Sequence, residues 1–167
     1  MIFDIKMDEK FRRKARMVAG GHTTENPAAL TYASIVSRDS FRIALTIATL
    51  NNLKFLSCDI QNAYLTSKSR EKIWTIARPK FGSDAGKLMI VVPDLYGSKS
   101  SGAAFRALLA KTLYNIWYTR SKADPDVWIR PGVKPDGFEY YKMILFYVDD
   151  VLSISHDAMK KMKVEGL

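Results

Sequence analysis

The chain has one cysteine in 167 residues. Cys58 therefore has no partner, which excludes an internal disulfide and any cysteine-rich zinc site. It lies in an apolar run, where a small buried hydrophobe is its expected role. Histidine is nearly as scarce. His22 and His156 stand far apart, and neither has a partner at metal-ligand spacing, so both read as surface or turn residues. No apolar run reaches the ~20 residues that span a bilayer. Thr46 and Thr49 interrupt one candidate and Lys142 another. The opening Met1-Ile2-Phe3-Asp4-Ile5-Lys6 is too charged for a signal peptide. No repeat, low-complexity tract or linker divides the sequence, so a single soluble intracellular domain is expected, with no membrane partner. Acidic residues are also in deficit. The 17 Asp and Glu against 26 Lys and Arg leave a net charge of +9, which favours a polyanionic partner but also suits a merely soluble basic protein.

What is present is an ordinary globular mixture, 47% hydrophobic and 26% charged, long enough to bury a core. A basic cluster, Lys10 to Arg16, runs through Met17-Val18-Ala19 to the Gly20-Gly21 break and reads as a strand ending in a turn. Ser37 or Asp39 caps a predicted helix to about Leu50, with Phe41, Ala44, Leu45, Ile47 and Ala48 inward and Asn51-Asn52 as its stop. Phe55–Asp59 is a predicted strand. Ile73–Ile76 and Leu88–Val92 form a predicted hairpin pair across a loop holding Gly82 and Gly86. A second helix is expected from about Ser101 to Tyr118, with Phe105, Leu108, Leu109, Leu113 and Ile116 inward. Val127–Ile129 reads as a strand and Pro131–Gly137 as a turn. Phe138–Val148 and Val151–Ser155 form a hairpin with Asp149-Asp150 at its junction, and a last helix begins near Asp157. Trp74, Trp117 and Trp128 sit at apolar-phase positions, where core packing is expected. Helices mixed with antiparallel hairpins give an α+β fold.

The chemistry lies at the strand ends. An Asp pair closing a hairpin is common, and alone it reads as polar turn residues. Here Phe146-Tyr147-Val148 precedes the pair and Val151-Leu152 follows it, while Asp59 ends a second apolar strand. Three carboxylates brought to one place repel one another unless a cation sits among them. A divalent metal held by aspartates is how triphosphates are handled in nucleotidyl transfer.

These residues carry a resemblance. Phe146-Tyr147-Val148-Asp149-Asp150 resembles the catalytic hairpin of reverse transcriptases. Cys58-Asp59-Ile60-Gln61-Asn62-Ala63-Tyr64-Leu65 is similar to the first palm motif of the copia-type branch, Asp-(Val/Ile)-x-x-Ala-(Phe/Tyr)-Leu. Lys14-Ala15-Arg16-Met17-Val18-Ala19-x-Gly21 resembles the fingers motif of that branch. Leu95-Tyr96-Gly97-Ser98-Lys99-Ser100-Ser101 resembles its Leu-Tyr-Gly-Leu-Lys-Gln-Ser segment, and Asp124-Pro125-Asp126-Val127-Trp128 stands at its Asp-x-Cys-(Leu/Val)-(Tyr/Phe) element. The ordered matches cover nearly the whole chain. Departures are Ser98 for Leu, Ser100 for Gln, Gly102 for Pro, Gly20 for Lys, and Pro93-Asp94 for a basic-small pair. They bear on template grip and loop stiffness rather than on metal binding.

The resemblance implies a fingers and palm region with an antiparallel palm sheet packed on helices, ending before a thumb or RNase H. It implies an RNA-directed DNA polymerase that adds deoxynucleotides to a primer 3′ end on an RNA or DNA template. Asp59 and Asp149 become the main ligands of two Mg²⁺ ions, with Asp150 and the Ile60 carbonyl in support and Mn²⁺ as a substitute. No protein nucleophile is needed, so the lack of a Ser-His-Asp set is no objection. Tyr64 becomes an aromatic gate against the ribose 2′-hydroxyl, with the small Ala63 beside it. Lys14 and Arg16 are implied to grip the dNTP triphosphate. Arg12 and Arg13 read as a solvated basic face, and the cluster also fits a nuclear-localisation signal. Tyr96 and Gly97 are placed at the nucleotide, and Lys99, Ser101, Tyr147 and Val148 at template and primer. Implied partners are the rest of a Pol polyprotein, including integrase and RNase H. The implied location is a cytoplasmic virus-like particle or the nucleus, without secretion. Two other readings stay open: an inert polymerase-derived fragment that only binds nucleic acid, and a two-metal nuclease, against which Tyr64 speaks.

Overall fold

A computed structural model describes residues 2–5, 11, 13–21, 26–28 and 31–158; the side chains of residues 2–4, 14–16 and 70 lie outside that description. In chain order the elements are β1 (Ile2–Ile5), β2 (Arg13–Arg16), α1 (Arg38–Leu50), β3 (Lys54–Asp59), β4 (Lys68–Ile76), β5 (Leu88–Pro93), α2 (Ser101–Asn115), β6 (Thr119–Arg120), β7 (Val127–Val133), β8 (Glu139–Tyr147) and β9 (Asp150–Ser155). Short 3₁₀ turns occupy Ala63–Thr66 and Pro79–Asp84. The chain sorts into two compact units, Met1–Ala33 with Asn62–Leu108, and Ser34–Gln61 with Leu109–Leu167.

The second unit is built on a five-stranded antiparallel sheet in the order β3-β9-β8-β7-β6. Alternation puts Met143, Leu145, Leu152 and Ile154 on one face, where they join Val36, Ala44, Ala48 and Leu53 in a common core. Ala44 and Ala48 are small, so the α1 backbone can come close to the sheet. On the other face Trp128 is buried, with the ring of Tyr114 from α2 edge-on to it at 5.1 Å. Ser37 caps α1 as its sequence predicts, its Oγ accepting the Ser40 N–H at 3.1 Å. The α1 start is also tied across the unit. Asp124 accepts the Ser37 N–H at 3.0 Å, the Ser34 hydroxyl donates to Asp126, and the Val36 N–H donates to the Phe146 carbonyl at 3.0 Å.

The first unit holds two antiparallel ribbons, β1 with β2 and β4 with β5, and the Ser101–Leu108 portion of α2. Val18 bridges Tyr96 in parallel, and the Ala19 N–H donates to the Tyr96 carbonyl at 2.7 Å. Gly21 and Gly97 meet at this crossing. A Cβ on Gly21 would overlap the Gly97 carbonyl oxygen, and one on Gly97 would overlap the Ala19 carbonyl oxygen. Two glycines from separate sequence motifs are thus required by one backbone contact.

The antiparallel sheets with few helices bear out the α+β class, and most predicted elements stand within a few residues of their expected bounds. The turn expected at Pro131–Gly137 is shorter, because β7 continues through Pro131 and Gly132 to Val133. β6 pairs only with Trp128 and Ile129, so β7 is an edge strand at Pro131, and its missing N–H costs no ladder bond. α2 ends at Asn115 rather than Tyr118. Trp117 takes a left-handed φ of 67°, and the Tyr118 N–H closes back on the Leu113 carbonyl at 3.0 Å. Leu108 is exposed rather than inward. Trp74 and Trp117 are also exposed, at 55% and 81%, because a ribbon face and a helix end carry them. His156 sits in a turn but is half-buried, its Nδ1 2.8 Å from the Tyr140 hydroxyl. The last helix is described only at its start, Ala158, and Arg12 and His22 lie outside the described residues.

Candidate active site

β3 lies beside β9 in a register that pairs Phe55 with Ile154, Ser57 with Leu152 and Asp59 with Asp150. Directly opposed residues of antiparallel strands project to the same face. Asp59 and Asp150 therefore stand side by side at the sheet end, on the face that α1 covers lower down. The β8–β9 junction is Val148-Asp149, one residue earlier than the sequence suggested, because Asp150 already pairs with Tyr147 in the ladder. Asp149 is the second turn residue, and its carbonyl accepts the Ile60 N–H at 2.9 Å. This bond extends the β3–β9 ladder by one step and holds the turn against the end of β3.

Val148 has a φ of 59°, and Asp149 has none of the positive kind, the pattern of a type II′ two-residue turn. A β-branched residue is strained there, so the surrounding sheet imposes the turn. Asp59 and Asp150 are exposed and Asp149 is half-buried. Among the described residues, no side chain or backbone N–H donates to any of the three carboxylates. Asp150 also borders an apolar cavity of about 390 Å³ lined by Phe41, Leu45, Phe55, Tyr147 and Leu152. Behind them on β3, Cys58 is half-buried. Burial pushes its thiol pKa up, and the negative charges of Asp59 and Asp150 push it the same way.

Three carboxylates without protein donors at one sheet end are a hard-oxygen set of the kind Mg²⁺ or Mn²⁺ takes. As they stand, no three such side chains among the described residues close on a single point. The chemistry of the donors fits a divalent cation, and their convergence is incomplete.

Most of the other site residues lie in the first unit. Ala63 is fully buried in the 3₁₀ turn. The Tyr64 ring is edge-on to Tyr96 at 4.7 Å and to Phe105 at 5.9 Å, so two neighbouring rings fix its orientation. Gly97 is at the crossing with Gly21. Lys99 reaches Asn26 Oδ1 at 2.9 Å. Ser101 is buried and its hydroxyl donates to the Ser98 carbonyl at 2.9 Å, so it faces inward. Lys14 and Arg16 are on β2 opposite Asp4 and Ile2, with side chains outside the described residues. In the second unit Tyr147 and Val148 are exposed at the turn.

Sequence reasoning missed two kinds of residue. Asp124 and Asp126 matched a motif but are structural, binding the start of α1. Burial alone would raise the Asp124 pKa. The N–H groups of Ser37 and Asp126 and the hydroxyls of Ser40 and Ser37 outweigh that and leave it below the ordinary carboxylate value. Asp94, a departure from the copia pattern, is fully buried and accepts the Ser67 hydroxyl at 3.1 Å.

A model of the family described as reverse transcriptase (RNA-dependent DNA polymerase) matches residues 1–165. The chain is 26% identical over 151 residues to the retrovirus-related Pol polyprotein from transposon RE1 of Arabidopsis thaliana, a match covering 87% of this chain and 10% of that protein. It is 24% identical over 153 residues to the corresponding polyprotein from transposon RE2 of the same plant, covering 89% of this chain and again 10% of the relative. The chain thus spans about a tenth of the length of these curated relatives. No solved structure matches it. Among the described residues, no helix is long and apolar enough to cross a membrane.

Proposed function

The chain belongs to the reverse transcriptase (RNA-dependent DNA polymerase) family, in the copia-type branch whose motifs it carries, and on that premise we propose that it supplies the deoxynucleotide-adding site of a retrotransposon polymerase. The second unit is read as palm and the first as fingers. The observation that carries the reading is the Asp59–Asp150 register pair, with Asp149 in the turn between β8 and β9.

Asp59, Asp149 and Asp150 offer carboxylate oxygens that no described donor occupies, and the Ile60 carbonyl adds a neutral one. Those oxygens would hold two divalent ions, which would supply Lewis-acid chemistry to the primer 3′-hydroxyl and to the phosphates of the incoming nucleotide. Lys14 and Arg16 supply positive charge for the triphosphate. Tyr64, held by Tyr96 and Phe105, excludes a 2′-hydroxyl and so selects dNTPs. Tyr147, Val148 and Lys99 serve primer and template.

Primer extension on poly(rA)–oligo(dT) with dTTP and Mg²⁺ tests this directly. Extension by the chain, lost in Asp149→Asn while far-UV circular dichroism stays unchanged, is the expected result. Equal extension by both proteins would sink the assignment. The incomplete convergence of the acids favours a second reading, an inert fragment that binds nucleic acid. Salt-sensitive RNA binding without extension, in a folded protein, would establish that one.

A further inference from the structure

Glu71 has no part in the metal site or in the motifs, yet its carboxylate binds a fully buried residue of the first unit twice. Its Oε1 accepts both the backbone N–H of Ser100, at 2.8 Å, and the Ser100 hydroxyl, at 2.6 Å. Ser100 is 0% exposed, so both donors depend on this carboxylate rather than on water. The β4 backbone is shaped for the contact. Its ladder with β5 is irregular between Lys68 and Ile73. Inside that break the Ser69 hydroxyl group accepts the Glu71 N–H at 3.1 Å and donates to the Glu71 carbonyl at 3.0 Å. The bulge turns Glu71 out of the ladder.

Ser100 immediately precedes α2, and its carbonyl accepts the Ala104 N–H at 3.0 Å. A serine there ordinarily caps the helix with its own oxygen. Here the hydroxyl is given to Glu71, and the carboxylate faces the positive end of the helix. The copia pattern has Gln where this chain has Ser100, and the shorter side chain sits fully buried against Glu71. The four residues before Ser100 are Tyr96 to Lys99. They are held at one end by the Ala19–Tyr96 bond of 2.7 Å and at the other by Glu71. Tyr96 in turn braces the Tyr64 ring.

We infer that Glu71 is a positioning residue for sugar selection: by fixing Ser100 it fixes Tyr96, and through Tyr96 the orientation of Tyr64. The inference rests on Tyr64 being the gate. Equilibrium titration of Mg²⁺–dATP and Mg²⁺–ATP into the whole chain tests it without requiring turnover. The chain binds dATP more tightly than ATP. Glu71→Leu reduces that preference at least fivefold, Glu71→Gln keeps it because the amide oxygen accepts the same two bonds, and Ser100→Ala gives an intermediate value. Urea midpoints show whether each variant is folded. If Glu71→Leu does not fold, Ser100→Ala decides: an unchanged preference overturns the inference. A folded Glu71→Leu that weakens both nucleotides equally, or neither, also overturns it, since that is what a merely structural contact does. A parent chain with no preference removes the gate itself, and the two failures are therefore distinct.

Discussion

Replacing Gly97 by alanine should be among the most damaging one-carbon changes available in the first unit. Gly97 has a φ of 91°, a region that costs an L-residue about 1–2 kcal/mol. The new Cβ would overlap the Ala19 carbonyl oxygen and sit 2.8 Å from Val18 Cγ1. Backbone atoms cannot swing aside as side chains do. Relief must separate the two segments, which strains the packing by about 1–3 kcal/mol and loosens the 2.7 Å Ala19–Tyr96 bond, worth about 0.5–1.5 kcal/mol. The total is roughly 3–6 kcal/mol. Gly86 supplies the control. Its φ is 85° and nothing lies within 4 Å of its added Cβ, so Gly86→Ala carries only the backbone cost of about 1–2 kcal/mol. Urea unfolding followed by circular dichroism, with hydrogen exchange at the Ala19 amide, measures both. Gly97→Ala should lie about 2–4 kcal/mol below Gly86→Ala, with Ala19 exchanging much faster. Two variants within about 0.5 kcal/mol of each other would refute the steric argument.

Three further outcomes follow from the second unit. The folded-state pKa of Asp124 is depressed, so its contribution is complete above the unfolded pKa near ~3.9 and is lost as pH falls through the lower folded value. Asp124→Asn should therefore flatten the acid limb of a urea-midpoint curve from about pH 5 downward, and an unchanged slope there would contradict the assignment. The Cys58 pKa is raised, first by burial and then by Asp59 and Asp150, so iodoacetamide should label it more slowly than a free thiol. Asp150→Asn should speed the labelling, and Mg²⁺ should speed it in the parent but less in that variant; no response to Mg²⁺ would argue that the acids do not hold the ion. Val148→Gly relieves about 1–2 kcal/mol of turn strain against an entropy cost of about 0.5–1 kcal/mol, so its urea midpoint should match or exceed the parent. A loss above about 1 kcal/mol would mean that Val148 packs more than its exposure suggests.

The features legible in the sequence are those encoded by neighbours along the chain. Ser37 and Asn51 bound α1 because capping chemistry acts within one turn. Alternation from Phe55 to Asp59 and the apolar runs flanking Asp149-Asp150 mark strands that end in acids. Amino-acid identity alone thus named the three carboxylates and the family. Register was not available from identity. Tertiary pairing gave Asp59 to Asp150 and left Asp149 in the turn, because each strand fixes only its own alternation and the partner sets the offset. Pro131 looked like a turn residue, and only the short reach of β6 made an edge where a strand can carry it. Asp124 with Ser37, Glu71 with Ser100 and Gly21 with Gly97 are joined across long stretches of sequence. Such contacts exist only once loops are closed and faces are packed, so their energy depends on a geometry that no local pattern contains.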